Sequence, residues 1–131
     1  MLPSPQKFLI VDDNPDSRFL LVKTLLRKFP QAVIQECQQS DPAVAIARSE
    51  NPTAIVAHRT EDVDGVTLVR LLRHVNATVP IVMVSGFDRA KEALAAGATC
   101  FLNYDEWLRI GTLVSELIGA PGVTASPFPA R

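Results

Sequence analysis

The sequence predicts an α/β fold, with a doubly wound, five-stranded parallel sheet and helices on both of its faces. The first observation is that strand-like and helix-like segments alternate from residue 7 to about residue 118, which is typical of a parallel sheet covered by helices. The second is that most strand-like segments are continuous apolar runs, as expected of strands buried on both sides. Right-handed crossovers then favour the doubly wound topology.

Five short segments rich in strand-forming residues predict the strands. They cover residues 8–11, 33–37, 54–57, 81–84 and 100–102. Polar residues interrupt the second segment, so we expect this strand to be partly exposed, whereas the third and fourth are apolar throughout.

Capping signals predict where the five helices begin. Each signal is a side chain that accepts hydrogen bonds from the first turn, or a proline or glycine at a helix boundary. The predicted starts are at Asn14-Pro15, Asp41-Pro42, Gly65, Asp88 and Asp105. Gly97 is expected in the left-handed conformation that ends the fourth helix, which runs through Ala96.

The spacing of apolar residues predicts which face of each helix meets the sheet. On the first helix this face is predicted to carry Phe19, Val22, Leu26 and Phe29. On the second, third and last helices the inward residues are predicted to be Ala43, Ile46 and Ala47; Leu68, Leu72 and Val75; and Trp107, Ile110, Val114 and Leu117 or Ile118.

Composition limits the classes of function. The chain has 131 residues, with 13 Lys and Arg against 14 Asp and Glu and a formal net charge of −1, which argues against direct binding to nucleic acid or to a membrane surface. No apolar run is long enough to span a bilayer and no secretory signal is visible, so we expect a cytoplasmic protein. We expect a leader over residues 1–6, one domain over residues 7–118 and a flexible Pro/Gly-rich tail or linker stump over residues 119–131.

The two cysteines are too few for a disulfide scaffold. Cys37 belongs to the second predicted strand and Cys100 to the fifth. We expect both to be buried as small apolar residues.

An acidic pair follows the first predicted strand. In an open parallel sheet, ligands bind beyond the carboxyl ends of the strands, and Asp12 and Asp13 lie at such an end. Adjacent carboxylates disfavour each other's ionisation unless a cation or hydrogen-bond donors compensate. The pair therefore indicates either a site for Mg²⁺ or one helix cap beside a solvated acid.

Four segments together resemble the receiver domains of response regulators from two-component signalling. They are the first strand with its acid pair at residues 7–15, the turn and helix at residues 63–72, the fourth strand and hydroxyl at residues 79–86, and residues 96–101. The resemblance extends over residues 7 to about 118. It implies a flavodoxin-like sheet with strand order 2-1-3-4-5.

The resemblance also implies a mechanism. In this family a histidine kinase supplies a phosphoryl group to an Asp that ends the third strand, and Mg²⁺ bound by the acid pair neutralises the charge. A hydroxyl after the fourth strand and a Lys after the fifth then hold the phosphoryl oxygens. Ser85 matches the hydroxyl, and Phe101 matches an aromatic residue of the family's switch.

Two positions depart from the family pattern. Counting back from Asp64-Gly65 puts Ala57 at the acceptor position, whereas counting forward from Asn51-Pro52 puts His58 there. We favour His58, because it directly follows the apolar run. Tyr104 stands where the family has its Lys, and a neutral phenol cannot replace an ammonium group.

These departures predict a degenerate receiver, or pseudo-receiver, that is not phosphorylated by the usual aspartyl route. We expect a non-enzymatic module that acts through protein–protein interaction with a signalling partner such as a histidine kinase or an output domain, as a monomer or weak homodimer. We expect no cofactor, and at best weak Mg²⁺ binding by Asp12 and Asp13.

One alternative is a receiver that is still phosphorylated or binds metal through His58 or through a loop acid, Glu61 or Asp62. Alternatively, His58 has no such role and pairs with Asp12 or Asp13, so that an internal cation replaces the metal ion. A flavodoxin-like cofactor-binding domain is the remaining alternative, but Asp12-Asp13-Asn14-Pro15 occupies the place of its phosphate loop and would repel phosphate.

Overall fold

The fold is built on one sheet of five parallel strands. The computed structural model describes residues 5–119. The strands are Lys7–Asp12 (β1), Val33–Cys37 (β2), Ala54–Arg59 (β3), Ile81–Ser85 (β4) and Cys100–Asn103 (β5). They lie in the order β2-β1-β3-β4-β5, and every neighbouring pair is parallel. The predicted fold class is therefore confirmed.

Helices cover both faces of this sheet. They are Pro15–Lys28 (α1), Ser40–Ser49 (α2), Gly65–Val75 (α3), Ala90–Ala96 (α4) and Ile110–Ile118 (α5), with a 3₁₀ helix at Tyr104–Arg109 before α5. Helices α1 and α5 pack together on one face, and α2, α3 and α4 form a row on the other.

Successive side chains of each strand point to opposite faces of the sheet, so the core consists of two apolar clusters, one on each face. On β1, Leu9 and Val11 face α2 and α3, while Phe8 and Ile10 face α1 and α5. All four are almost completely buried. Both faces of the strand need apolar residues, which explains the continuous apolar runs in the sequence.

The two cysteines lie on the edge strands, as the predicted strand order requires. Cys37 ends β2 and Cys100 begins β5, and these strands form opposite edges of the sheet. Both thiols are free and buried, and burial raises the pKa of Cys100 to about 12. The prediction of buried cysteines is confirmed.

Four strands extend further than predicted at their carboxyl ends. β1 continues through Asp12, β3 through Arg59, β4 through Ser85 and β5 through Asn103. Polar residues at these ends hid the extension, because the apolar run that identified each strand stops earlier. The polar side chains therefore lie on the strands themselves, which fixes their directions more firmly than a loop would.

The predicted inward face of α1 is wrong for Phe19 and Leu26, whereas Val22 and Phe29 do pack against the core. The buried residues of α1 are Ser17, Leu21, Thr24 and Leu25, whereas Phe19 is 60% exposed and Leu26 is 36% exposed. The helix carries leucines on two adjacent faces, so apolar spacing did not distinguish them. Two small polar residues lie on the buried face because each bonds locally, Ser17 to Asp12 and Thr24 to the Leu20 carbonyl.

Some predicted helix starts also need correction. Asn103, not Asp105, caps the 3₁₀ helix that precedes α5, since its side chain accepts a hydrogen bond from the Asp105 N–H at 2.9 Å. Residue Arg89, rather than Asp88, occupies the cap position of α4. By contrast, Asn14 caps α1, and Gly97 ends α4 with a φ of 114°, as predicted.

Within residues 5–119, no helix combines the length and the apolar character needed to cross a membrane. Residues 1–4 of the predicted leader and residues 120–131 of the predicted tail lie outside the described residues.

Candidate functional site

The polar ends of the strands meet at one edge of the sheet. Asp12 ends β1, Ser85 ends β4, and Tyr104 directly follows β5. His58, on β3, lies between β1 and β4, because β3 is the central strand. The structure thus brings together the side chains that the sequence placed at separate strand ends.

Asp12 is a fully buried carboxylate with three neighbours that balance its charge. Its Oδ1 accepts a hydrogen bond from the Asn14 N–H at 3.0 Å, and its Oδ2 accepts one from the Ser17 hydroxyl. Burial by itself would raise the pKa of Asp12, but contacts with His58, Ser17 and Asn14 outweigh it and lower the pKa below 3.8. Asp12 is therefore ionised at neutral pH.

His58 lies directly against this carboxylate. Its Nδ1 is 3.2 Å from Asp12 Oδ2, a hydrogen-bonding distance. However, the buried Nδ1 has no hydrogen-bond partner of suitable geometry among residues 5–119. We therefore treat the contact as electrostatic rather than as a well-formed hydrogen bond.

An irregularity in the strand pairing explains how His58 reaches Asp12. Val11 pairs with Ala57, but the next residue of β1, Asp12, pairs with Arg59, so His58 is one residue out of register. A bulge of this kind redirects a side chain. The two counts made from the sequence also differ by one residue here, and Ala57 is completely buried in the core beneath α3.

Asp13 points away from Asp12 and pairs with a neighbouring cation. Its Oδ1 accepts a hydrogen bond from Arg59 Nε at 3.1 Å, and its backbone N–H donates to the Arg59 carbonyl at 3.1 Å. The two members of the acid pair therefore have separate partners, His58 for one and Arg59 for the other.

Tyr104 covers the outer side of His58. The two rings are stacked, with centroids 5.8 Å apart and planes 9° from parallel. Burial, together with the negative charges of Asp12 and Asp16, raises the pKa of Tyr104 above 10.0. The phenol is therefore neutral and brings no positive charge to the site.

Ser85 and Phe101 have different surroundings. The Ser85 side chain is nearly buried at the end of β4, and its Oγ accepts a hydrogen bond from the Phe87 N–H at 3.1 Å. Phe101 is half-buried and packs on the α2–α3–α4 side of the sheet. It is not part of the cluster around His58.

The acids of the loop after β3 all have partners of their own. The Asp62 carboxylate accepts hydrogen bonds from the Ser40 hydroxyl and from the Ser40 N–H, and bonds from Ser40 and Thr60 lower the pKa of Asp62 to about 2. Asp64 caps α3 through the Thr67 N–H at 2.9 Å, and Glu61 accepts from Gln39 at 3.4 Å.

The side chains around Asp12 and Asp13 do not form a site that fits Mg²⁺. A magnesium site needs several oxygen ligands around one point, but Asp12 faces His58 and Asp13 faces Arg59. Across residues 5–119, no three His, Cys, Asp or Glu side chains cluster in a way that could hold a metal ion.

A cavity of 310 Å³ opens beside this cluster. Its wall includes His58, Arg59, Asp64, Ser85, Arg89 and Tyr104. Sequence reasoning missed Ser17 and Arg89 as members of the site, and it placed Arg59 after the third strand without giving it a role. Arg59 had a signal, because it directly follows the favoured position His58; Ser17 and Arg89 come from helical segments whose placement only the fold decides.

Comparison with known proteins identifies the family. The profile described as the response regulator receiver domain matches residues 8–105. The chain is 34% identical over 104 residues to the response regulator protein PilR of Pseudomonas aeruginosa; the match covers 76% of this chain and 23% of PilR. The chain thus spans about a quarter of the length of that relative.

Solved structures of receiver proteins have the same fold. A putative response regulator from Chloroflexus aurantiacus superposes with a TM-score of 0.77 at 22% identity, covering 88% of this chain and 98% of the other. The signal receiver domain of the putative response regulator NarL from Mycobacterium tuberculosis gives 0.76 at 20% identity, covering 88% and 98%. These structures share the fold of this chain, and the profile match over most of its length shows that the chain belongs to the response regulator receiver domain family.

Proposed function

We propose that this receiver domain is not phosphorylated by the usual aspartyl route and that it signals through protein–protein interaction. Receiver domains of two-component response regulators are signalling modules. In this chain the proposed partner is another signalling protein, either a histidine kinase or an output domain. We propose no enzymatic activity, no direct contact with nucleic acid, a cytoplasmic location, and a monomer or weak homodimer.

The observation that carries the proposal is the pairing of His58 with Asp12 at 3.2 Å. Phosphoryl transfer depends on positioning and on neutralisation of the developing negative charge. At this sheet edge the side chain beside Asp12 is an imidazole rather than a carboxylate, and the loop acids are held by Ser40 and by the start of α3.

The electrostatics around the acid pair support the same conclusion. The neighbours of Asp12 and Asp13 are His58 and Arg59, so each acid already has a partner that is, or can become, cationic. A divalent cation would have to displace both partners and would lack a third carboxylate. We therefore propose that Mg²⁺ binding is weak at best.

Treatment with acetyl phosphate and Mg²⁺, followed by intact-mass measurement, tests the proposal. The wild-type chain should gain no phosphoryl group. The double variant His58→Asp with Tyr104→Lys should gain one, because it restores an acceptor beside Asp12 and a cation beside the acceptor. A phosphoryl group on wild-type Glu61 or Asp62 would contradict the proposal, and one on His58 would favour the alternative of an atypical acceptor.

The matched control is Ala57→Asp with Tyr104→Lys. Ala57 is completely buried in the apolar core, so a carboxylate there is expected to destabilise the fold rather than accept phosphate. Phosphorylation of this control, with none of the His58→Asp variant, would contradict the position that we assign to the acceptor.

A further inference from the structure

The cavity beside His58 is lined by cationic residues rather than by the acid pair Asp12 and Asp13. Neither Asp12 nor Asp13 lines it, whereas Arg59 and Arg89 both do. Of the lining residues, all within residues 5–119, Asp64 is the one carboxylate. The lining residues therefore include two arginines and one carboxylate, and Asp13, which pairs with Arg59, lies beside the cavity rather than in its wall.

Within residues 5–119, several hydrogen-bond donors of this wall have no protein acceptor. In this part of the chain Arg59 donates only through its Nε, to Asp13, and Arg89 Nη1 lies 3.8 Å from Asp64 Oδ2, which is beyond hydrogen-bonding distance. The Ser85 Oγ accepts from Phe87, but among the described residues its own proton reaches no acceptor. These donors are available to a negatively charged oxygen.

The rest of the wall is apolar. Met83 is buried at the base of the cavity, and the Phe87 ring, which also lines it, is 73% exposed. An exposed aromatic ring beside cationic donors provides a surface for the organic part of a ligand. The volume of 310 Å³ is at the lower end of the range for small-molecule sites, about 300–1,000 Å³.

We propose that this cavity reversibly binds a small organic phosphate monoester, with its phosphate on Arg59, Arg89 and Ser85 and its organic group against Phe87 and Met83. A phosphate monoester offers three free oxygens and about two negative charges to two guanidinium groups and one hydroxyl, whereas a single carboxylate offers two oxygens and one charge. No bond is made or broken, so this inference goes beyond the proposed function and does not depend on it.

Titration of the full chain with phenyl phosphate, followed by amide chemical shifts in NMR, tests the inference. Saturable shifts are expected at residues 85–89 and around His58, with none from phenol. Arg89→Gln and Arg59→Gln should each weaken binding by about tenfold, the loss expected for one charge-assisted contact. Arg48→Gln, which removes an exposed arginine of α2 far from the cavity, should leave the affinity unchanged.

Three results would overturn the inference. They are an absence of saturable shifts, an equal loss of affinity in Arg48→Gln, and equal affinities for phenyl phosphate and inorganic phosphate, since the last would leave Phe87 and Met83 without a role. Circular dichroism confirms that each arginine variant is folded. Intact mass after dialysis separates this inference from the proposed function, because a reversible ligand leaves no added mass and a phosphoryl group does.

Discussion

Asp12 is a buried carboxylate whose ionisation is maintained by its neighbours. Desolvation favours the neutral acid, but His58, the Ser17 hydroxyl and the Asn14 N–H favour the anion more strongly. An acid with a lowered pKa in the folded state stabilises the protein above its unfolded pKa, here 3.8. That stabilisation is lost as the pH falls below 3.8 through the folded value.

The Asp12→Asn variant should therefore have a weaker dependence of stability on pH below pH 3.8 than the wild type. The measurement is urea unfolding at a series of acidic pH values, from which the slope of the unfolding free energy is obtained. Glu116→Gln, at an exposed position of α5, is the control. A slope in Asp12→Asn that is as steep as in the wild type would contradict this role of Asp12.

Gly65 allows α3 to begin close to β3. A Cβ at this position would lie 2.4 Å from the His58 carbonyl oxygen and 2.8 Å from Met83 Cε. The carbonyl belongs to the bulged strand and cannot move without displacing His58. This close contact links a helix start to the geometry of the candidate site.

We expect Gly65→Ala to destabilise the protein by about 1–3 kcal/mol, because overpacking outweighs the gain of about 1 kcal/mol in helix propensity. Thermal or urea unfolding measures the loss. Gly86→Ala is the matched control, since a Cβ there meets nothing within 4 Å, and it should be close to neutral. Equal stability of the two variants would show that the contact at Gly65 is relieved at little cost.

Among the secondary-structure elements, α3 is tied to the turns around it by one arginine. Arg73 Nε donates to the Gly97 carbonyl at 2.8 Å, and Nη1 donates to the carbonyls of Asn76 and Val79 at 3.1 and 2.7 Å. The Asn76 carbonyl lies at the end of α3, the Val79 carbonyl lies just before β4, and the Gly97 carbonyl lies at the end of α4. The planar guanidinium reaches all of them at once, which a lysine ammonium cannot do.

The Arg73→Lys variant should therefore lose most of this network and be destabilised by about 1–3 kcal/mol, since partly buried carbonyls lose their donors. Urea unfolding checks this value. Arg70→Lys on the same helix, at an exposed position, should stay within about 0.5 kcal/mol of the wild type. A neutral Arg73→Lys would mean that water replaces the lost hydrogen bonds.

At the scale of the whole molecule, two apolar clusters hold the sheet, while the polar residues gather at its carboxyl edge. The fold is thus that of a receiver, but its polar edge contains His58, Arg59 and Arg89 where divalent-cation chemistry needs oxygen ligands. A bound ion stabilises a folded protein only to the extent that it binds the native state more tightly than the unfolded state.

Millimolar Mg²⁺ should therefore leave the melting temperature of the wild-type chain unchanged. In the double variant His58→Asp with Tyr104→Lys, Mg²⁺ at about tenfold above its dissociation constant should raise the melting temperature by about 2–8 °C. Differential scanning calorimetry measures the melting temperatures, and Ca²⁺ and K⁺ serve as comparison ions. A rise of the same size in the wild type would contradict our assignment of the acid pair to internal partners.

The sequence by itself determined the five strands, their parallel arrangement and the family resemblance. These depend on local patterns, namely continuous apolar runs, the cap at Asn14 and the left-handed Gly97, which act over a few residues. It also identified Asp12, His58, Ser85 and Tyr104 as residues of strand ends, because parallel strands all end at one edge.

Only the tertiary structure decided which of these residues meet and what partners they have. The buried face of α1 depended on the bond between Ser17 and Asp12, and the direction of His58 depended on the register shift between β1 and β3. The contributions of Arg59 and Arg89 to one cavity depended on segments that are distant in sequence. Such contacts arise from packing between elements, and no local pattern of residues encodes them.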